Sequence, residues 1–162
     1  MALRRARAGE LARLAALVAS PAVAPFVAYD AAEKVERALD REGEELLVVE
    51  VCRGAVAGGL RLVEVNRRSR IWSIETLMLD PAHRGTGLAA AALRTLARER
   101  FACGRAHRLQ AEIMAFNVAA LHAFTAAGFR REGVRRRAYD RHGTWQDGIL
   151  VGLIAEDPIP PG

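Results

Sequence analysis

Leu77-Met-Leu-Asp-Pro-Ala-His-Arg-Gly-Thr-Gly-Leu-Ala89 is the stretch on which the reading of this chain turns. An apolar strand ends at Asp80-Pro81, a short turn follows, and Gly85 and Gly87 stand where the backbone enters a helix. Helix N-termini carry unpaired N–H donors and about half a positive charge. Glycines let a phosphate approach those donors closely, so the stretch is a candidate anion cradle. Gly85-Thr-Gly87-Leu-Ala-Ala90 fits the dinucleotide pattern G-x-G-x-x-G/A literally. That fold, however, wants its glycines directly after the first strand of a βαβ repeat, and here Asp80 to Arg84 intervene. A P-loop fails for want of Gly-Lys-Ser/Thr. A glycine turn that binds nothing is the bland alternative.

Outward from this stretch the period changes on either side. Upstream, Glu45–Val51, Ala55–Val65 and Ile71–Leu79 read as three strands joined by short turns at Arg53-Gly54 and Asn66–Ser69, which makes them antiparallel neighbours. Gly58-Gly59 softens the second of them. Before these, Ala2–Ala8 allows a strand, Glu10–Ala19 has helical apolar spacing, and Ala31–Asp40 reads as a more polar helix with Asp30 as N-cap. Downstream, Thr86–Ala102 is helical, with Ala89, Leu93, Leu96 and Ala97 on one face and Gly104 as its stop. Leu109–Met114 is a strand, Asn117–Ala127 a helix, and Phe129–Ala138 and Trp145–Ile154 close the chain as strands. The expected architecture is α+β: a mixed, largely antiparallel sheet of six or seven strands flanked by about four helices. One domain over residues 1–157 is expected, with 158–162 as a tail whose prolines forbid regular structure.

Composition narrows the class. The chain has 162 residues, 51% of them hydrophobic, too many for a disordered protein. It carries a formal charge of +5, and Lys34 is the only lysine among its 24 basic residues. Arginine in place of lysine, beside abundant alanine, is the bias of a G+C-rich coding sequence, so the charge says little about partners. No stretch approaches the roughly 20 apolar residues of a membrane span. MALRRARAGELARL lacks the uninterrupted apolar core of a secretory signal. Cys52 and Cys103 form no CxxC, and Cys103 reads as a small core residue. His83, His107, His122 and His142 share no metal-ligand spacing, so no metal is expected. A cytoplasmic protein with no membrane contact is the expectation.

Two patches then tie the chain to a family. Arg84-x-x-Gly87-x-Ala89 resembles the R/Q-x-x-G-x-G/A signature of the GNAT family of N-acetyltransferases. Asn117-Val-Ala-Ala120-Leu-His-Ala-Phe124-Thr-Ala-Ala-Gly128-Phe129 resembles that family's N-x-x-A-x-x-x-Y-x-x-x-G-F helix at every spacing, with Phe for Tyr. The closing segment Gly133…Tyr139…Gly143-Thr-Trp145-Gln-Asp147 is similar to the subgroup that acetylates ribosomal-protein N-termini.

The resemblance implies an acyltransferase that passes an acetyl group from acetyl-CoA directly to an amine. By carry-over, the backbone N–H groups of Arg84, Gly85, Thr86, Gly87, Leu88 and Ala89 would hold the pyrophosphate. Leu77, Met78 and Leu79 would pair with pantetheine along a splayed strand edge, with an N–H near Met78 or Leu79 stabilising the oxyanion. Asn117 would bond the pantetheine arm, although it would serve equally as an N-cap. Phe124 falls at the cofactor position where the family has its acid. An amine attacks only when neutral, and its pKa is about 8 for an α-amine and about 10.4 for an alkylamine. A general base is therefore expected. Glu75 precedes the end of the thioester-flanking strand and Glu112 lies inside an apolar strand, so both are candidates, with Glu75 favoured. The usual tyrosine that would protonate the leaving thiolate is missing; water, another side chain such as Tyr139, or no acid at all would serve, because a thiol of pKa about 8.5 costs only about 2 kcal/mol to leave ionised at pH 7. His122, two residues from Phe124, points to the opposite helix face.

Two other functions stay open. A nucleic-acid or ribosome-binding module is prompted by the arginine run Arg130–Arg137, but it lacks aromatic interleaving and leaves the glycine loop unexplained. A non-catalytic CoA-binding domain is prompted by Phe124. Arg130–Arg137 would otherwise orient an anionic acceptor or form a solvated edge. The acids Glu33, Glu36, Asp40 and Glu42 are the only cluster that would favour a cationic acceptor. Dimers are common in the family, so a homodimer is among the partners to expect.

Overall fold

The apolar run Leu46–Val49 is unbroken because the sheet it helps build is covered on both faces. The computed structural model describes residues 1–161. Its strands are β1 (Ala2–Arg5), β2 (Glu44–Glu50), β3 (Val56–Asn66), β4 (Ile71–Leu79), β5 (Arg108–Met114), β6 (Arg130–Arg141) and β7 (Thr144–Ile154), in one sheet ordered β1-β2-β3-β4-β5-β7-β6. The helices are α1 (Leu11–Ala19), α2 (Ala31–Glu36), α3 (Leu88–Ala102) and α4 (Val118–Ala126). Every strand pairing is antiparallel except β4 with β5, whose parallel crossover is made by α3. On one face α3 and α4 cover Leu47, Leu60, Leu62, Ile74, Leu109 and Ile149. On the other, α1 and α2 cover Leu46, Val48 and Met78. The strand and helix order expected from the sequence is the order found.

Two features of the sheet position the site. Ile74 pairs with Leu62 and Thr76 with Arg61, so Glu75 is the extra residue of a bulge and stays exposed. The β4–β5 pairing ends at Ser73 opposite Gln110, while β3 holds β4 as far as Leu79 and β7 holds β5 as far as Met114. The two central strands thus part in a V, each retained by its outer neighbour.

Three local expectations differ. Helix α2 stops at Glu36 rather than Asp40: the Asp30 carboxylate pairs with Lys34 at 2.9 Å instead of capping, and the chain tightens through i−3 bonds from Ala38 and Asp40. Strand β6 runs on to Arg141 across an irregularity between Arg135 and Tyr139. There Arg137 takes a left-handed φ of 48° and its N–H donates to the Asp147 carboxylate at 2.7 Å. The proline tail is irregular as expected but not loose, since Ile159 packs on the core and the Pro160 carbonyl accepts from Arg98 at 2.7 Å. Gly162, the last residue of the expected tail, lies outside the described residues.

Candidate active site

The V between β4 and β5 opens into a cleft of about 680 Å³, bounded by the Leu77–Leu79 edge, the glycine loop and α4. Alternation along β4 decides which amides face it. The Asp80 N–H donates to the Ala57 carbonyl of β3 at 2.8 Å, so the Leu79 N–H points the other way, into the V. Of the Met78 and Leu79 amides, the one that faces the V is that of Leu79.

At one end of the cleft the glycine loop turns into α3. Gly85 and Gly87 have φ of 71° and 78°, and a Cβ at either would meet nothing within 4 Å. These glycines are therefore demanded by backbone conformation, not by crowding. Among the described residues, no backbone carbonyl accepts from the N–H groups of Gly85 to Ala90, whereas Ala91 bonds back to Gly87. Donors are thus concentrated at the positive end of a 15-residue helix. The Thr86 hydroxyl is turned away and donates to the His83 carbonyl at 2.8 Å, so Thr86 offers only its backbone. The Arg84 guanidinium is also committed, donating to the Ala22 carbonyl at 2.8 Å and tying the loop to the segment after α1.

Across the V, Asn117 stands at the start of α4. Its side-chain oxygen caps the Ala120 N–H at 3.2 Å, which leaves its NH₂ group to donate into the cleft. The capping role is thus observed, and the same side chain keeps donors free on the cleft side. Phe124 does not reach the cleft. It is buried and packs edge-on against Phe129, with ring centroids 4.9 Å apart. From α4 the cleft is lined by Val118, Ala119, Ala120, His122, Ala123 and Ala126. His122 and Phe124 do point apart, as the helical spacing requires, but it is His122 that faces the cleft.

The two glutamates lie behind the V, on the α1–α2 face. Glu112 forms an ion pair with Arg135 at 2.9 Å through one oxygen, while its Oε1 is buried with no hydrogen-bond partner. The carboxylate lies over Gly148, where a Cβ would fall 2.0 Å from Oε1, so glycine at 148 makes the space for it. Tyr139 stands beside this group, and its phenol pKa is held above the ordinary value by burial and then by Glu112, with Glu75 adding to the effect. Glu112 and Tyr139 are thereby neighbours, although 27 positions separate them along the chain.

A second cavity of about 830 Å³ lies on this same face, between α1, the segment leading to α2, and the β6–β7 hairpin. Phe116 lines both cavities, and its ring packs on Phe26 with centroids 5.9 Å apart. Sequence reading missed Phe26, Phe116 and Arg141, because only tertiary packing brings those segments together.

Other candidates fall away from both cavities. Cys103 is exposed rather than core. Trp145 is exposed, and Asp147 supports the β6 irregularity. Glu33 pairs with Arg37 at 2.9 Å and Glu42 with Arg67 at 3.1 Å, so half of the acidic cluster is spent on surface ion pairs. Among the described residues, no three His, Cys, Asp or Glu side chains are grouped to hold a metal ion, and no helix is long and apolar enough to cross a membrane.

The acetyltransferase (GNAT) family model matches residues 11–129, from α1 to the end of the α4 motif. The chain belongs to the GNAT family. A Bacillus subtilis relative, the probable N-acetyltransferase YjcK, is 27% identical over 100 residues, 62% of this chain. The matched part of the chain spans only 55% of that relative's length. The fold is also that of spermidine N-acetyltransferase from Vibrio cholerae in complex with CoA and spermine, with a TM-score of 0.80 at 21% identity over 95% of each chain. A chimera of the Vibrio cholerae spermidine N-acetyltransferase SpeG with hSSAT superposes with a TM-score of 0.82 at 22% identity, again over 95% of each chain. The GNAT fold accounts for the split sheet and for the glycine loop at the mouth of the split.

Proposed function

We propose that this GNAT protein is an acetyl-CoA-dependent N-acetyltransferase that moves the acetyl group directly to a primary amine. One observation carries the reading: a free strand edge, unpaired helix-terminal amides and the Asn117 donor line a single cleft. The Gly85–Ala89 amides hold the pyrophosphate, and the Leu77–Leu79 edge pairs with the pantetheine amides. The Leu79 N–H stabilises the oxyanion as the amine nitrogen attacks the thioester carbonyl. The N–C bond forms, the C–S bond breaks, and the amine proton passes through water to Glu75, the exposed carboxylate of the β4 bulge. Glu112, fixed by Arg135 and Gly148, adds negative charge beside the entering ammonium. The thiolate takes its proton from water, because Phe124 has none to give. The activity is expected to be cytoplasmic.

CoA release in the presence of acetyl-CoA and an amine panel is the test. Glu75→Gln should lower kcat by about 100-fold, with Glu112→Gln acting mainly through acceptor KM. A second reading, a CoA-binding domain without catalysis, is favoured by the burial of Phe124 at the family's acid position. Acetyl-CoA that binds but is never consumed by any amine would establish that second reading instead.

A further inference from the structure

From the charge and lining of the second cavity, we infer that it is the acceptor site and is built for a free α-amino acid with an apolar side chain. The inference rests on the acetyl-transfer reading above and names its substrate class. The cavity wall is mostly aliphatic, supplied by residues such as Val18, Val27 and Ala32, and no carboxylate lines it. Its one permanent charge is Arg141, half-buried on the hairpin. The Arg141 guanidinium donates to the Val27 carbonyl, approaches the Met114 sulfur at 3.3 Å and stacks 4.6 Å from the Tyr29 ring centroid. Among the described residues, no carboxylate pairs with it. The buried arginines Arg61 and Arg100 are different, each bonded to a glutamate.

A guanidinium partly withdrawn from water without an anion is electrostatically incomplete, and a carboxylate completes it through two parallel hydrogen bonds. The nearby acids are already occupied. Asp30 pairs with Lys34 at 2.9 Å, and the Asp140 carboxylate accepts from the Gly143 N–H at 2.7 Å. His142, set edge-on to Tyr29 with centroids 6.2 Å apart, adds positive charge when protonated. A polyamine finds no counter-charge here, and the acidic cluster that would favour one lies outside the lining.

Position supports the same occupant. Tyr139 and Arg141 point to one face of β6, pairing with Gln146 and Thr144 of β7, and Gln146 and Thr144 both line the cavity. Two residues along a strand span about 7 Å. Phe116 joins this cavity to the cleft, so a carboxylate held by Arg141 directs the α-amine toward Tyr139 and the cleft, and the side chain against the aliphatic wall. The products are the N-acetyl amino acid and CoA.

The test is CoA release by the full chain with acetyl-CoA and leucine, leucinamide, isopentylamine or spermidine. Leucinamide has the lower amine pKa, so chemistry without recognition favours it. Leucine should nonetheless exceed leucinamide and isopentylamine in kcat/KM by about tenfold or more. Arg141→Met should abolish that preference, and Arg141→Lys should retain part of it. If Arg141→Met does not fold, the amine panel and Arg141→Lys decide. The inference is overturned if leucinamide, isopentylamine or spermidine matches leucine, or if the preference survives in Arg141→Met. It is also overturned if no amine is used while calorimetry shows acetyl-CoA bound. Absence of acetyl-CoA binding would instead remove the acetyl-transfer reading and this inference with it.

Discussion

Gly58→Ala is the substitution that most sharply tests how the sheet holds the thioester edge. Gly58 pairs with Leu79, and a Cβ there would lie 2.1 Å from the Met78 carbonyl oxygen and 2.9 Å from the Leu79 Cα. Both are backbone atoms, so no rotamer change relieves the clash. Ala57 and Leu60 are fully buried on either side, which prevents β3 from backing away. The strands must part locally, and overpacking of this kind costs about 1–3 kcal/mol. At about 2–4 °C per kcal/mol for a chain of this size, Tm should fall by about 2–12 °C. The segment displaced is the one that presents the Leu79 N–H, so ligand binding should suffer as well. Acetyl-CoA at about 100 times its Kd should stabilise the wild type by about 2.7 kcal/mol, and the variant should lose most of that gain at the same concentration. Thermal melts with and without acetyl-CoA measure both effects. A variant within about 1 °C of wild type, with an unchanged ligand shift, would refute the reasoning.

Gly148→Ala should behave differently, because the three atoms nearest its Cβ all belong to the Glu112 side chain, with Oε1 2.0 Å away, and not to backbone. Stability should change by less than about 1 kcal/mol while transfer activity drops as it does in Glu112→Gln, a split read from melts beside steady-state rates. Phe124→Tyr should not restore an acid: a hydroxyl introduced beside Phe129 would be buried without a partner and should cost about 1–3 kcal/mol with no gain in kcat. Hydrogen bonds from Arg4 push the Glu10 pKa from 4.5 down to about 2. Its folded value lies below its unfolded one, so the contribution is complete above about pH 4.5 and is lost as pH falls toward about 2. Glu10→Gln should flatten that part of a Tm-against-pH curve.

The β4 strand, glycine loop and α3 were legible because each rests on local chemistry: an apolar run, a proline stop, left-handed glycines and an open helix end. Asn117 was legible both as a cap and as a cleft donor because a helix start fixes its place. Phe124 was not. Its motif spacing matched a cofactor position, but its ring is buried against Phe129 and is not among the α4 residues that line the cleft. Thr86 and Arg84 lie in the expected loop, yet their side chains answer to His83 and Ala22, partners that local pattern does not reveal. The exposure of Glu75 needed the β4 bulge, and the pairing of Glu112 with Tyr139 needed the β5–β7–β6 register. The arginine run dissolved into separate roles once folded. Arg130 pairs with Asp157 at 2.9 Å and Arg135 holds Glu112, while Arg137 turns the strand. The arginine that marks the acceptor cavity, Arg141, lies just beyond that run.

The central claim is that the split between β4 and β5 holds acetyl-CoA with its phosphates on the glycine loop. Titration of the ¹⁵N-labelled chain with acetyl-CoA, followed amide by amide, tests it most directly. The account predicts saturable shifts at Gly85 to Ala89, at Leu79 and at the Asn117 side-chain NH₂, with amides of β1 undisturbed. No shift at those amides with millimolar acetyl-CoA, or shifts confined to another face, would contradict it.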